Sequence, residues 1–373
     1  MVALTLGGPS VPERIRWADG LTIKVPADIK HLVAQRSTEP AIQAAALQTA
    51  ARDLRMRRAF LSAAPAVARL PISYRVVWAP LRRGIARVMG RVQRWRQNAW
   101  AQFPGWPIDL SADVIADLAG PDPARVSSPT PVLLTHDIDS PEGLRNLVDM
   151  FLPIEEAVGA RSASYIVPHA WPLEMELISE VVARGHEIGV HGYDHSARTP
   201  FASPDERRAR LAAGHDLGRQ FGAVGYRAPS LVRTQALLDD LALLYRYDSS
   251  IPTSGGPFPT ANNGCATARP WLIGNLWEIP LSLPRDGSLR FLGYSPSQIT
   301  RMWLEIATLI ARSGGVVNLL THCERGFSGN RAMLEAYRQF IGEMATDSRF
   351  EFMLPRVLVQ ALDEGSRQWS RKP

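Results

Sequence analysis

A chain of 373 residues with 46% hydrophobic and 21% charged residues has the composition of a globular protein, which excludes wholesale disorder. Its two cysteines, Cys265 and Cys323, are too few and too far apart in sequence to suggest a disulfide framework. The amino terminus lacks a signal-peptide pattern and no run of about 18 apolar residues occurs, so we expect a cytoplasmic protein.

The formal net charge of +6 is unevenly distributed. Residues 1–128 carry 18 Lys+Arg against 9 Asp+Glu, and between Leu54 and Ile108 there are eleven arginines and no acidic residue. This Arg-rich segment, 54–108, is either the solvated face of a helical region or a surface that meets phosphate. The phosphate would belong to an anionic membrane, as at the inner membrane face, or to a phosphate-bearing precursor. No nucleic-acid-binding motif accompanies the charge, so we expect no nucleic acid partner.

The first part of the chain reads as a series of short helices. Residues 28–101 have a mostly helical pattern that prolines interrupt, and four tryptophans lie in or just after it. These rings either pack on the rest of the protein or mark a membrane-surface element. Four prolines within 119–131 predict a linker. We therefore predict two regions, a mostly helical basic region 1–128 and a second domain 129–373.

From residue 132 onward, short apolar runs alternate with longer helical patterns. We predict strands at 132–135, 162–167, 186–191, 225–227, 246–249, 277–280, 316–322 and 350–354. Between them we predict helices at 142–158, 173–184, 204–221, 234–244, 296–313 and 329–346, with one more at the end. This alternation predicts an α/β fold with a parallel sheet, open or closed into a barrel.

In such folds the reactive residues gather after the strands, at their carboxyl ends. Asp137 and Asp139 follow the first strand. Two carboxylates at this spacing suit a cation and a general base, because a cation beside one carboxylate keeps the other ionised. A solvated turn is the alternative. His191 and His195 follow the third strand, and imidazoles four residues apart can converge on one ion.

Two further strand ends carry candidate residues. Arg227 either orients a carboxylate through a bidentate pair or lies on a surface turn. His322 ends an apolar strand, where it is either a structural histidine or a general acid.

In chain order the strand ends carry Asp-x-Asp, His-x-x-x-His, Arg-x-Pro, Tyr-Asp-Ser-Ser and Leu-x-x-His. Residues 131–360 thereby resemble the polysaccharide deacetylases with a NodB-homology domain, in the branch whose first motif is Asp-x-Asp. The resemblance implies an α/β fold, a distorted (β/α) barrel, preceded here by a helical, Arg-rich extension. It also implies that 129–373 is a catalytic domain containing a divalent metal, usually zinc, held by Asp139, His191 and His195.

The resemblance implies roles for the other residues too. Asp137 would be the catalytic base and Arg227 would hold it in place. His322 would protonate the leaving amine, and Asp248 would orient His322. Together these residues would remove an N-acyl group, usually acetyl, from an amino sugar.

The sequence departs from the family pattern at several positions. His136 replaces an aromatic residue, Ser230 stands where many members have tyrosine, and Trp271 or Trp277 would have to supply the substrate-facing ring. These positions line the acyl pocket and groove in the family, so the substrate stays open. Glu324 either contacts substrate or forms an ion pair at the rim.

Three functions are compatible with this pattern. The first is deacylation of an amino sugar in a glycan, or in a lipid-linked or nucleotide-linked precursor of polysaccharide biosynthesis. The second is hydrolysis of a cyclic amide or imide, as in allantoinase-like relatives. The third is a non-catalytic glycan- or membrane-associated protein on a deacetylase scaffold, against which the intact set of site residues argues.

Overall fold

A computed structural model describes residues 14–16, 22–24, 40–65, 79–119, 129–256 and 264–365. Most of the predicted linker 119–131 therefore lies outside the described residues, as do parts of the predicted helical run 28–101. Two short strands, β1 (Arg14–Arg16) and β2 (Thr22–Lys24), pair antiparallel.

The described part of the N-terminal region is largely helical, as predicted. It contains α1 (Pro40–Arg57), α2 (Ala79–Arg96) and α3 (Ser111–Leu118), with the antiparallel pair β3 (Pro104–Gly105) and β4 (Ile108–Asp109) between the last two. α1 packs on α3, and buried side chains of both helices belong to the same hydrophobic cluster as the main sheet.

Nine strands form the main sheet. They are β5 (Thr130–Ile138), β6 (Ser162–Ile166), β7 (Glu187–His191), β8 (Gly225–Arg227), β9 (Tyr247–Asp248), β10 (Trp271–Ile273), β11 (Leu276–Glu278), β12 (Val317–His322) and β13 (Phe350–Phe352). The spatial order is β10-β11-β9-β8-β7-β6-β5-β12, with β13 pairing the start of β5. All pairs are parallel except β10 with β11.

Helices connect the strands. They are α4 (Pro141–Asn146), α5 (Leu152–Glu156), α6 (Met175–Ala183), α7 (Pro204–Arg219), α8 (Gln235–Leu241), α9 (Asp286–Phe291), α10 (Pro296–Ser313), α11 (Arg331–Thr346) and α12 (Pro355–Asp363). A π-helical turn, Leu147–Phe151, separates α4 from α5, so the helix predicted at 142–158 is interrupted. Within the described ranges, no helix is both long and apolar enough to cross a membrane.

The sheet closes through an irregular segment. The strand order ends at β10 on one side and at β12 on the other, and residues 279–283, which follow β11 in the chain, run alongside β12. The Leu283 amide donates to the Asn318 carbonyl at 3.1 Å, and Asn318 Nδ2 donates to the Pro280 carbonyl at 3.1 Å. The result is a distorted (β/α) barrel, which confirms the predicted fold.

Strand alternation divides the side chains into an interior set and an outer set. Leu133, Tyr165 and Tyr247 belong to a cluster inside the barrel, which residues of α12 cap at the amino ends of the strands. Leu134 and Val190 belong to the cluster that the surrounding helices cover. The opposite, carboxyl end of the interior is where the candidate site lies.

Candidate metal centre and catalytic site

Asp139, His191 and His195 meet at the carboxyl end of the barrel. Their ligand atoms all lie within 4.8 Å of one another. Asp139 Oδ1 is 3.5 Å from His191 Nε2 and 3.2 Å from His195 Nε2. Gly192, at φ +70°, turns the chain between the two histidines, and a Cβ there would overlap the ring of Pro229. Glycine is thus required at this turn both by its backbone angle and by the close approach of Pro229.

The chemical state of these groups fits a divalent cation. His191 Nδ1 lies 3.0 Å from the Arg227 carbonyl, so Nδ1 is the donor and Nε2 presents its lone pair to the centre. Burial lowers the pKa of His191 and keeps it neutral. Burial alone would raise the pKa of Asp139, but His195 and His191 together lower it. Asp139 Oδ1 is buried and faces the Nε2 atoms of both histidines, as expected of a metal ligand.

Asp137 is held beside this triad by a buried arginine. Arg227 Nη1 donates to Asp137 Oδ1 at 3.0 Å and to Thr135 Oγ1 at 3.1 Å, while its Nε donates to the Ser249 carbonyl at 2.8 Å. Burial would lower the pKa of Arg227, yet Asp137 raises it, so the guanidinium stays charged. The other carboxylate oxygen, Asp137 Oδ2, lies 3.6 Å from His191 Nε2 and faces the metal centre.

His322 ends β12, where it is the register partner of Asp137 on the neighbouring β5, and its ring is bound to a second carboxylate. Its Nδ1 is 2.8 Å from Asp286 Oδ1, and its backbone amide donates to Asp286 Oδ2 at 2.9 Å. Phe327 stacks on the imidazole with ring centroids 4.7 Å apart. Burial alone would lower the pKa of His322, but Asp286 above all, together with the nearby Asp139 and Asp137 carboxylates, raises it to about 10. At neutral pH the imidazole is therefore protonated and can donate from Nε2.

The prediction that Asp248 orients His322 is wrong, because Asp286 does so. In β9 the alternation places Tyr247 inside the barrel and Asp248 on its outer face. There Asp248 Oδ1 accepts from Ser250 Oγ at 2.7 Å. Asp286 is the first residue of α9 and reaches His322 from the connection that precedes β12. The available signal was an acidic residue in a Pro-Arg-Asp-Gly turn before the last motif.

His136 and the two tryptophans named as candidates for a substrate-facing ring do not face the site. His136 is buried on the outer face of β5, with Nε2 2.8 Å from Glu155 Oε1 and Nδ1 2.9 Å from Thr321 Oγ1. Trp277 donates from Nε1 to Asp363 of α12, at the far end of the barrel. Trp271 is buried in the outer cluster. The expectation that His136 lines the acyl pocket, or that either tryptophan supplies a substrate-facing ring, is therefore wrong.

Glu324 supports the metal centre from behind. Its Oε1 accepts from the Asp139 amide at 3.0 Å and from Ser140 Oγ at 2.9 Å. A Cβ at Gly143 would overlap this carboxylate, so glycine allows the approach. The sequence suggested that Glu324 contacts substrate or forms an ion pair at the rim. The structure instead shows Glu324 fixing the loop that presents Asp139.

The fold and the site define a parallel α/β barrel with an Asp-His-His centre flanked by an Asp–Arg pair and a His–Asp pair. Among solved structures, the chain matches a protein from Mycobacterium smegmatis assigned to the polysaccharide deacetylases. The TM-score is 0.51 and the identity 20%, over 66% of this chain and 96% of that one.

A second match is to the Puue allantoinase, with a TM-score of 0.52 and 14% identity, over 69% of this chain and 97% of that one. No protein-family profile matches the chain, and no curated protein does. The chain has the fold of the polysaccharide deacetylases, which confirms the resemblance seen in the sequence at the level of fold. The two TM-scores are nearly equal, so the fold alone does not separate the sugar and cyclic-amide alternatives.

Proposed function

We propose that the protein is a metal-dependent hydrolase that removes an N-acyl group, in the first place acetyl, from an amino sugar. The observation that carries the proposal is the pairing of a carboxylate fixed by Arg227 with an imidazolium fixed by Asp286. These two groups flank a centre formed by Asp139, His191 and His195. Amide hydrolysis needs a base for the water and an acid for the amine, and this site offers one of each.

Asp139, His191 and His195 would hold the metal ion, for which we propose zinc. A bound divalent ion polarises the acyl carbonyl and makes a neighbouring water more acidic. Asp137 Oδ2, which Arg227 leaves free, accepts the proton of the attacking water. Because Arg227 Nη1 occupies Oδ1, the carboxylate is oriented with Oδ2 toward the metal centre, where the water would be held.

His322 acts on the departing nitrogen. An amide nitrogen leaves only when it is protonated, since the free amide anion is far too basic. The pKa of His322 is raised to about 10, chiefly by Asp286 and further by Asp139 and Asp137. Its imidazolium therefore retains its proton through neutral pH and transfers it from Nε2. Asp286 is a positioning residue, because it acts on the substrate only through His322.

For the substrate we propose an N-acylated amino sugar in a lipid-linked or nucleotide-linked precursor of a polysaccharide. The eleven arginines of the Arg-rich segment 54–108, with no acidic residue among them, support a phosphate-bearing partner. The match to an allantoinase keeps cyclic amide hydrolysis as the second candidate.

The test combines metal content with turnover. We expect the purified protein to contain close to one divalent ion per chain, to lose turnover of N-acetyl amino sugars with a chelator, and to regain it with Zn²⁺.

The variant His191→Ala should lose both the metal and turnover. The control His215→Gln, which changes a histidine on α7 outside the site, should keep both. Free, nucleotide-linked and lipid-diphosphate-linked sugars and allantoin form the substrate panel. Full turnover by His191→Ala would refute the proposal, and turnover of allantoin alone would select the second candidate.

A further inference from the structure

One face of α2 exposes an unusual concentration of large apolar side chains. The described residues include nine large hydrophobic side chains that are exposed, and four of them lie on this helix. Val88 is 61%, Val92 52% and Trp95 88% exposed, and Met89 is 37% exposed. Burying apolar side chains is favourable, so a row of large apolar side chains left in water indicates a binding surface.

The opposite face of α2 packs against the end of α9. A Cβ at Gly90 would overlap the carbonyl oxygen of Phe291, so the two backbones touch there. The Arg94 guanidinium lies 4.1 Å from the centre of the Tyr294 ring, and the Tyr294 hydroxyl donates to Gln97 Oε1 at 2.9 Å. These contacts fix the rotation of the helix about its axis.

Helical geometry then places the exposed stripe. At about 100° per residue, Val88, Val92 and Trp95 fall within about 60° of one another, on the side opposite Gly90. Exposed Arg91 and Arg96 lie on either side of this stripe. We call Val88, Val92, Trp95, Arg91 and Arg96 the α2 stripe.

The composition of the α2 stripe selects its partner. An apolar strip with tryptophan, flanked by arginines and remote from any acidic residue in sequence, has the chemistry of a helix that lies in the interface of an anionic bilayer. Each basic residue near such a surface adds to the attraction.

We propose that the α2 stripe docks the protein on anionic phospholipid membranes, with α2 parallel to the bilayer surface. The face of α2 that lies opposite the α2 stripe touches the end of α9, and the first residue of α9, Asp286, holds His322. Six residues of α9 span about 9 Å, so the membrane-facing helix lies close to the mouth of the site. A lipid-linked sugar held in that membrane would reach the site; this consequence rests on the proposed function, whereas the docking itself does not.

The test is flotation of the full chain with phospholipid vesicles. We expect binding to vesicles containing phosphatidylglycerol at least tenfold tighter than to pure phosphatidylcholine, and weakening as salt is raised. The double variant Val92→Ser/Trp95→Ser should bind at least tenfold more weakly, and Arg91→Gln/Arg96→Gln should lose most of the preference for anionic lipid. The matched control is Leu243→Ser/Leu272→Ser, which removes two other apolar side chains, 77% and 50% exposed, from outside the α2 stripe.

Two outcomes would overturn the proposal. The first is a failure of specificity: the wild-type protein does not bind anionic vesicles, or the control Leu243→Ser/Leu272→Ser loses as much binding as Val92→Ser/Trp95→Ser does. The other is a change of oligomeric state in Val92→Ser/Trp95→Ser with vesicle binding unaltered, which would assign the stripe to a second copy of the chain. Asp137→Asn should bind vesicles as the wild type does, so a failure of the catalytic proposal would be distinguishable from a failure of docking.

Discussion

Two histidines of the candidate site differ in protonation because their neighbours differ. His191 Nδ1 contacts a neutral backbone carbonyl, and burial lowers its pKa, so Nε2 is a lone-pair donor suited to a metal. His322 Nδ1 contacts a buried carboxylate, and its pKa is raised to about 10. A divalent cation in the centre would favour neutral imidazole, so the Asp286 carboxylate is the group that retains the proton on His322.

This difference predicts the effect of removing the Asp286 charge. The pKa of His322 is raised in the folded protein, so its acid form is present below about pH 10 and is lost above it. In Asp286→Asn the supporting charge is gone, and we expect the alkaline limb of kcat/KM to move at least about one pH unit lower. NMR titration of labelled histidine, with His322→Gln to assign the signal, measures the same shift without turnover.

Asp248→Asn is the matched control for this variant, because it removes the carboxylate on the outer face of β9. Its alkaline limb should stay where the wild-type limb lies. If Asp248→Asn moves the alkaline limb of kcat/KM and Asp286→Asn does not, then Asp248, and not Asp286, is the partner of His322.

Most of the site could be predicted because each residue ends a strand. Any parallel sheet brings the carboxyl ends of its strands to one edge. The residues at these strand ends are Asp137, Asp139, His191, Arg227 and His322. The same reasoning could not exclude Asp248 from the site. It ends a strand too, but the strand has only two residues, and a shift of one residue exchanges the two faces of a strand.

Asp286 was missed for a different reason. It comes from a helix start in a long connection, where no apolar periodicity marks which side chains point inward. Only the path of residues 279–283 along β12, set by bonds such as Leu283 to Asn318, brings it to His322.

At the scale of elements, the loop from β5 into α4 determines how Asp139 is presented. Glu324 comes from the loop after β12 and accepts from the Asp139 amide and from Ser140 Oγ. Ser140 is also the N-cap of α4, accepting from the Gly143 amide at 3.1 Å. One carboxylate thus joins the ends of two neighbouring strands around the metal centre.

We expect Glu324→Ala to weaken Zn²⁺ binding by about 10- to 100-fold, the usual effect of removing a group that orients a metal ligand. Glu324→Gln keeps an acceptor oxygen at the same place and should bind Zn²⁺ within about threefold of the wild type. Competition with a chromophoric chelator measures both affinities. Equal Zn²⁺ affinity in Glu324→Ala and the wild type would show that the loop holds its shape without this contact.

The boundaries of elements show where local sequence sufficed. α10 begins and ends where predicted, because Ser295 and Gln298 form a capping box and Gly314 ends the helix at φ +68°. The helix predicted at 142–158 is interrupted near Pro153, which has no N–H to donate to the carbonyl four residues earlier. The Leu152 amide bonds instead to Leu147, five residues back.

At the scale of the whole molecule, the N-terminal helices share one core with the barrel. Leu54 of α1 and Ile115 of α3 belong to the same hydrophobic cluster as Leu134 of β5. Buried Arg233 donates from Nε to the Ala59 carbonyl at 2.7 Å, which ties the residues after α1 to the connection after β8. The division of the chain at residue 128 stays a prediction from composition, and these contacts supply a way to test it.

Asp113 of α3 is the most direct link between the two regions. It is buried, its Oδ2 accepts from the Ala268 amide at 3.0 Å, and its Oδ1 accepts from Thr267 Oγ1. In Asp113→Ala both donors lose their acceptor in the core, so we expect the free energy of unfolding to fall by about 3 kcal/mol.

If the regions form one cooperative unit, the unfolding transitions seen by tryptophan fluorescence and by circular dichroism should both move to lower denaturant concentration. Glu335→Ala, an exposed acid on α11, should leave the midpoint unchanged. A separate early transition in Asp113→Ala, with the main transition unmoved, would instead establish an independent N-terminal unit.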